Sequence, residues 1–316
     1  MSTRHPFRIG IQTGQQNYTW SQLSELWQKF DRWGYDSLWN FDHFYPIFTD
    51  PTGPCLEGWT TLTALSQVAP TARIGHLVNG NSYRNPCLLA KMAVSLDHIS
   101  NGRLNLGIGA GWFEHEHRSL GFEFKPVRER LEALDEACRI IKGMMRGDSV
   151  TLEGKHYTVR DAMAVPGPVQ AGGPPIMIGG AGRNVLLRIV AQWADMWNYF
   201  GSPADMADLV GVIRRHADKI GRDSDEIEKT VAMPLCYSVD ADRQATVCQM
   251  LAHTYQMSPE QARGRIMIGS RDECLERIDE YRKIGISHFI FMQFGPVFED
   301  EVQAFAEEVA PAARAA

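Results

Sequence analysis

A chain of 316 residues, 44% hydrophobic and with a formal net charge of -6, can bury a large core but offers no Lys/Arg run for a nucleic-acid surface. No apolar run approaches the roughly 20 residues of a membrane span, and "MSTRHPFRIG" lacks the apolar middle of a secretory signal. A cytoplasmic protein acting on a small molecule, without nucleic-acid or membrane partners, is therefore expected; its six cysteines, with no C-x-x-C, imply reduced thiols and no metal framework.

Apolar runs of strand length alternate with longer segments of helical period. "FRIGIQTG" opens the series at residue 7, followed by a helix over Ser21 to Trp33 and by "DSLWNFDH" at residue 36. "RIGHLVNG" at 73 precedes a helix over Pro86 to Ile99, and "RLNLGIGAG" at 103 precedes one over Val127 to Met145. Then come "PPIMIGGAG" at 174, a helix from Asn184 to Gln192, "DMWNYFG" at 195 and a helix from Ala204 to Ile220. "TVAMPLCYSV" at 230, a helix from Asp272 to Ile284 and "SHFIFMQFG" at 287 complete it.

Eight strands alternating with helices predict an α/β fold, a (β/α)8 TIM barrel forming one domain over residues 1–316. Two stretches exceed the repeat. Residues 147–172, after strand 4, contain the hairpin pattern "VTLEGKHYTV", and residues 253–268 follow strand 7. A doubly wound sheet would show a G-x-G-x-x-G after its first strand, where this chain has "GIQTGQQN".

Active sites of such barrels lie at the C-terminal ends of the strands. That rule selects Gln12, Asp42, His43, Asn79, Asn81, Trp112, Glu114, the run from Gly179 to Asn184, Asn198, Tyr199 and Gln293. Amides and aromatics dominate, with no converging lysines and no Ser-His-Asp set, a lining that suits a planar aromatic cofactor. In "IMIGGAGRN" the glycines allow close approach of an anion and Arg183 adds charge, although a tight turn needs glycine for geometry alone. "GSRDE" reads as a capping box between Ser270 and Glu273. His115 and His117 form an H-x-H that a metal-dependent hydrolase could use, but i and i+2 side chains on a helix point apart, so a solvated, mixed-charge surface is expected.

Taken in order, "DSLWNFDHF", "GHLVNGNSYRNPCLLAKMAVSLDHISNGRLNLGIGAGWFEHEHRSLGFEF" and "PPIMIGGAGRN" closely resemble the luciferase-like flavin and deazaflavin oxidoreductase superfamily, in its coenzyme F420-dependent branch. The likeness spans nearly the whole chain and is most specific over residues 73–122. It implies a barrel, usually homodimeric, with a flavin-like ring at its C-terminal mouth. Asp-His at the end of strand 2 matches the deazaflavin branch, whereas many flavin-mononucleotide (FMN) monooxygenases carry Glu-His-His there. The resemblance also implies a bulge at Leu77, Val78 and Asn79 backing the ring, with a non-prolyl cis peptide. Gly179, Gly180, Ala181 and Gly182, with Arg183, match the loop for the cofactor's phosphate-bearing side chain. Trp112 and Glu114 match a site-lining motif.

The expected activity is hydride transfer between F420 and a small organic substrate, with His43 moving the proton, Asp42 bonding the ring or orienting the imidazole, and Glu114 as a third catalytic residue. Ala110 stands where the sugar-phosphate dehydrogenase branch carries a glutamate proton donor, so oxidation of glucose 6-phosphate is not expected. Trp20, Phe44, Tyr45, Trp112 and Phe200 predict an apolar mouth. The alternatives are an FMN-dependent monooxygenase using oxygen, a non-catalytic flavin-binding protein and the metal-dependent hydrolase.

Overall fold

The computed structural model describes residues 4–293, 295 and 297–315, so Phe294 of the last predicted strand lies outside the described residues. In chain order the strands are β1 (Arg8–Thr13), β2 (Ser37–Asn40), β3 (Arg73–His76), β4 (Asn79–Gly80), β5 (Leu104–Gly109) and β6 (Val150–Glu153). They continue with β7 (Thr158–Ala162), β8 (Ile176–Gly179), β9 (Met196–Tyr199), β10 (Glu228–Cys236), β11 (Met267–Ile268) and β12 (Ile286–Gln293). Parallel pairing runs β12, β1, β2, β3, β5, β8, β9, β10, and β10 pairs again with β12, closing an eight-stranded barrel. These are the eight strands expected from the sequence. Every residue of β5 and of β10 is buried, as strands covered on both faces must be.

The outer helices are α1 (Trp20–Arg32), α2 (Gly58–Val68), α3 (Pro86–Ile99), α4 (Glu114–Leu120), α5 (Val127–Arg146), α6 (Leu186–Trp193), α7 (Pro203–Asp218), α8 (Ala241–Tyr255), α9 (Pro259–Arg263) and α10 (Arg271–Arg282). Local chemistry sets their ends. Thr19 and Gln22 form a capping box at α1, whose Leu23, Leu26, Trp27 and Phe30 recur at helical spacing and are buried. Asn85 caps α3 with Pro86 at its first turn, and α5 stops at Gly147 in the left-handed region. The expected box of Ser270 and Glu273 opens α10.

Both excursions carry structure of their own. β6 and β7 form an antiparallel hairpin fixed to α5 by Glu136, whose carboxylate accepts the backbone N–H groups of Lys155, His156 and Tyr157 at 2.8, 3.0 and 2.9 Å. After strand 7, α8, α9 and β11 enclose a small separate core around Val247, Leu251, Ala262 and Ile266. All six cysteines are free.

The barrel tolerates no side chain at Gly107, where a Cβ would stand 2.0 Å from the His76 carbonyl oxygen. That oxygen belongs to the ring of strands and cannot step aside. Gly107→Ala is expected to lower the unfolding free energy by about 3 kcal/mol, read as an earlier urea midpoint; an unchanged midpoint would contradict the crowding.

Candidate active site

The C-terminal strand ends surround a cavity of about 600 Å³, within the range of small-molecule sites. Its floor is a break in the barrel. β3 pairs with β5 through Gly75 and Asn105, and pairing resumes as β4 at Asn79 and Ile108, so four steps on one strand (75 to 79) face three on the other (105 to 108). The extra residue is a bulge, and the Leu77–Val78 peptide within it is cis. Gln12 Nε2 donates to the Leu77 carbonyl at 3.1 Å. Asn79 Nδ2 donates to the Gly107 carbonyl at 2.6 Å, while Asn79 Oδ1 accepts from Trp59 Nε1 at 2.7 Å. Below the bulge pack Trp39, Met177, Met196 and Ile290.

Asp42 and His43 follow directly on β2, and both line the cavity. Asp42 Oδ2 accepts from Arg84 Nη1 at 2.6 Å and from the Gly80 N–H at 3.1 Å, whereas its Oδ1 is buried without a partner. Burial pushes this carboxyl up to about 6, against the opposing charge and hydrogen bond of Arg84. His43 Nδ1 donates to Glu116 Oε2 at 2.9 Å. With Nδ1 bonded to Glu116, Nε2 is the ring nitrogen left to exchange a proton. Phe41, Trp112 and Phe113 flank the imidazole with centroids at 5.2, 5.5 and 5.7 Å.

Glu116, wholly buried on α4, accepts three further bonds: Tyr83 Oη at 2.6 Å and the N–H groups of Phe44 and Tyr45 at 2.6 and 3.0 Å. Burial alone would raise its carboxyl, but the bonds from His43, Tyr83 and the backbone outweigh that and hold it below the usual carboxylate range. The expectation that Asp42 orients the imidazole is corrected, because that carboxylate is Glu116. Glu114 points elsewhere: its side chain is 48% exposed and paired with Arg118 at 2.6 Å, and it does not line the cavity. Two residues along a helix turn the side chain through about 200°, so Glu114 and Glu116 face opposite ways.

Leu77, Val78, Asn79, Gly179, Gly180 and Trp112 all line the cavity. Gly180 has φ +123, and a Cβ there would meet Leu186 Cδ2 at 2.4 Å, so this turn requires glycine. Ala181 and Gly182 lie beyond the lining, and Arg183 forms an exposed fork with Asp208 on α7, with Nη2 to Oδ1 at 3.1 Å. Of the predicted mouth aromatics, Trp112 and Phe200 line the cavity, whereas Trp20, Phe44 and Tyr45 do not. The structure adds Phe48 and Tyr255 to the wall. His117 corrects the surface reading of the H-x-H: it is buried, donating from Nδ1 to the Phe113 carbonyl at 2.9 Å with Nε2 2.7 Å from Ser82 Oγ. Among the described residues no group of three His, Cys, Asp or Glu side chains is placed to hold a metal ion.

The model of the luciferase-like monooxygenase family matches residues 1–263. The F420-dependent glucose-6-phosphate dehydrogenase of Microbacterium testaceum (strain StLB037) is 26% identical over 98% of this chain and 98% of its own length. Among solved structures, an F420-dependent secondary alcohol dehydrogenase in complex with an F420-acetone adduct superposes with a TM-score of 0.86 at 20% identity, covering 98% of this chain and 99% of that one. Coenzyme F420-dependent tetrahydromethanopterin reductase from Methanopyrus kandleri gives 0.80 at 19% identity, over 98% and 99% of the two chains. With the family model covering most of its length, this chain belongs to the luciferase-like monooxygenase family.

Proposed function

We propose that this chain is an oxidoreductase that moves a hydride between coenzyme F420 and a small organic substrate. The observation that carries the reading is the Asp42-His43 pair at the end of β2, facing the bulge, with Asp42 Oδ1 buried and unpartnered beside the cavity. An orphaned buried acceptor is costly unless a ligand donor satisfies it, and the ring of a deazaflavin carries such N–H donors. The side-chain-free edge at Gly179 and Gly180 and the flat floor of Leu77 and Val78 fit the same ring. Relatives whose names include F420 dependence support this choice of cofactor.

When bound, the coenzyme supplies two-electron hydride chemistry and reacts poorly with oxygen. His43 Nε2 takes or gives the accompanying proton, and Glu116 holds the imidazole in the tautomer that leaves Nε2 free. Glu116 takes the place expected for Glu114. Asp42 binds the ring edge, Arg84 and the Gly80 N–H fix its carboxylate, and the aromatic wall excludes water. The resemblance supports a homodimer, the run of eight strands and helices a single domain, and the composition a cytoplasmic location. No helix among the described residues is long and apolar enough to cross a membrane.

Titrating the cofactor-free protein with F420 and with FMN, followed by fluorescence, tests the cofactor. F420 is expected to bind, and tight FMN binding without F420 binding would overturn the reading. His43→Ala is expected to lower turnover by about 10² to 10⁴ with coenzyme affinity nearly intact; unchanged turnover would remove the proton-transfer role.

Asp42 gives a separate pH signature. Its folded value of about 6 lies above the usual carboxylate value, so the protonated carboxyl contributes stability that is full below the unfolded value and lost as pH rises through about 6. Wild type measured against Asp42→Asn is therefore expected to lose relative stability between about pH 4 and pH 6, read from urea unfolding of both proteins across that range. A pH-independent difference would contradict the burial of this group.

A further inference from the structure

A second cavity, of about 290 Å³, opens at the end of the barrel opposite the active-site mouth, where β1, β10 and β12 begin. Arg4, Arg214, Lys229, Arg282 and Lys283 line it, and Asp225 is its one acid among the described residues. In a chain of net charge -6 this is a local reversal of sign, and a concave cluster of one sign concentrates counter-ions inside it. Two of the cations are already spent at its edge: Arg4 pairs with Asp223 at 3.2 Å and Lys283 with Asp279 at 2.7 Å. The other three are not.

Lys229, the second residue of β10, is a buried cation with thin compensation. Its side chain is 4% exposed, whereas that of Asp225, the one carboxylate bonded to it, is 64% exposed. Nζ donates to Asp225 Oδ1 at 3.2 Å and to the Ser224 carbonyl at 2.7 Å. An ammonium has three N–H donors, so among the described residues one is left for a ligand. Burial holds the group below the usual lysine pKa, Asp225 works against that, and the like charge of Arg214 adds to it. Arg214 is exposed on α7 and meets no carboxylate among the described residues; the charge it faces is Lys229. Arg282 donates from Nη1 to the Ala313 carbonyl at 2.9 Å, which leaves its other N–H groups.

We infer that this cavity binds a multivalent oxyanion, phosphate or a small phosphate monoester, held by the ammonium of Lys229 and the guanidinium groups of Arg214 and Arg282. A dianion here fills the third donor of Lys229 and turns the repulsion between Lys229 and Arg214 into two attractions. Planar guanidinium groups match phosphate oxygens in pairs, which favours this anion over a spherical one. The site is separate from the chemistry at His43 and does not depend on the F420 reading. Ala232, three residues further along β10, already lines the active-site cavity, so the anion fastens the outer end of a strand whose inner part serves the site.

Calorimetric titration of the full chain with inorganic phosphate and with glycerol 3-phosphate, at constant ionic strength, tests it. Binding is expected; tighter binding of glycerol 3-phosphate assigns the monoester as ligand, and tighter binding of inorganic phosphate assigns the free ion. Arg214→Glu and Arg282→Ala are each expected to weaken binding about tenfold, with urea midpoints in phosphate-free buffer confirming that both fold. Arg215→Glu, on the same helix but outside the cavity, is expected to bind like wild type. Absence of binding at millimolar concentration would overturn the inference. So would equal weakening by Arg214→Glu and Arg215→Glu, or binding that Arg214→Glu leaves intact, as it would for an anion lodged among Arg84, Lys125 and Arg130 beside the active site.

Discussion

The site depends on one buried carboxylate. Glu116 receives the imidazole of His43, the phenol of Tyr83 and two backbone N–H groups of the segment after β2, so a single side chain ties the ends of β2 and β4 to α4. A carboxylate taken out of water needs its lone pairs filled, and four donors do this here. The same requirement fixes the position of His43, since the imidazole cannot rotate without breaking its bond to Glu116. Tyr83 is constrained in turn: burial and then the adjacent Glu116 raise its hydroxyl, which therefore stays a donor.

The barrel was legible because its signal is periodic and local. Strand-length apolar runs, glycine turns and capping boxes announce themselves within a few residues, and a strand end automatically exposes Asp42 and His43 to the mouth. Glu116 was not legible, although the motif that contains it was. The contact with His43 spans 73 positions, and "EHEHRSL" has no apolar stripe to mark which side of α4 is buried. Two acids in that segment compete, and only packing against Phe44, Tyr45 and Tyr83 decides between them. The burial of His117 escaped notice for the same reason, and Arg183 misled because a cation beside a glycine turn says nothing of an aspartate 25 residues further on.

Charge at the mouth is arranged so that the two acidic residues of the site behave differently. Asp42 meets a full cation, yet that cation is shared with Glu57, and one of its own oxygens has no donor, so burial dominates. Glu116 lacks a permanent cation but has every donor it needs, so its ionised form is favoured. The two carboxyls thus differ in how fully their oxygens are hydrogen-bonded as well as in the charges beside them. The neighbouring wall uses a cation mechanically. Arg130 on α5 donates to the carbonyls of Lys125 and Gly111 and lies 4.2 Å over the Phe124 ring, holding the turn that presents Trp112.

The opposite end of the barrel bears on the floor. Arg8 pairs with Glu228 at 3.0 Å, Glu228 lies 3.6 Å from His288 Nδ1, and His288 Nε2 lies 2.7 Å from Ser37 Oγ, which accepts from Trp39 Nε1 at 2.8 Å. Burial would raise Glu228, but His288 and Arg8 outweigh it and keep the carboxylate ionised. The indole at the end of this relay packs with Leu77 and Val78, and it fits only because Gly75 and Gly10 have no side chains: a Cβ at Gly75 would stand 2.5 Å from the Trp39 ring, and one at Gly10 would stand 2.3 Å from Ser37 Oγ. The bulge thus rests on a ring whose height is set by hydrogen bonds from below and whose lateral position is set by close packing. On the proposed reading, a flat ligand held against His43 gains its positioning from this support as much as from the residues that touch it.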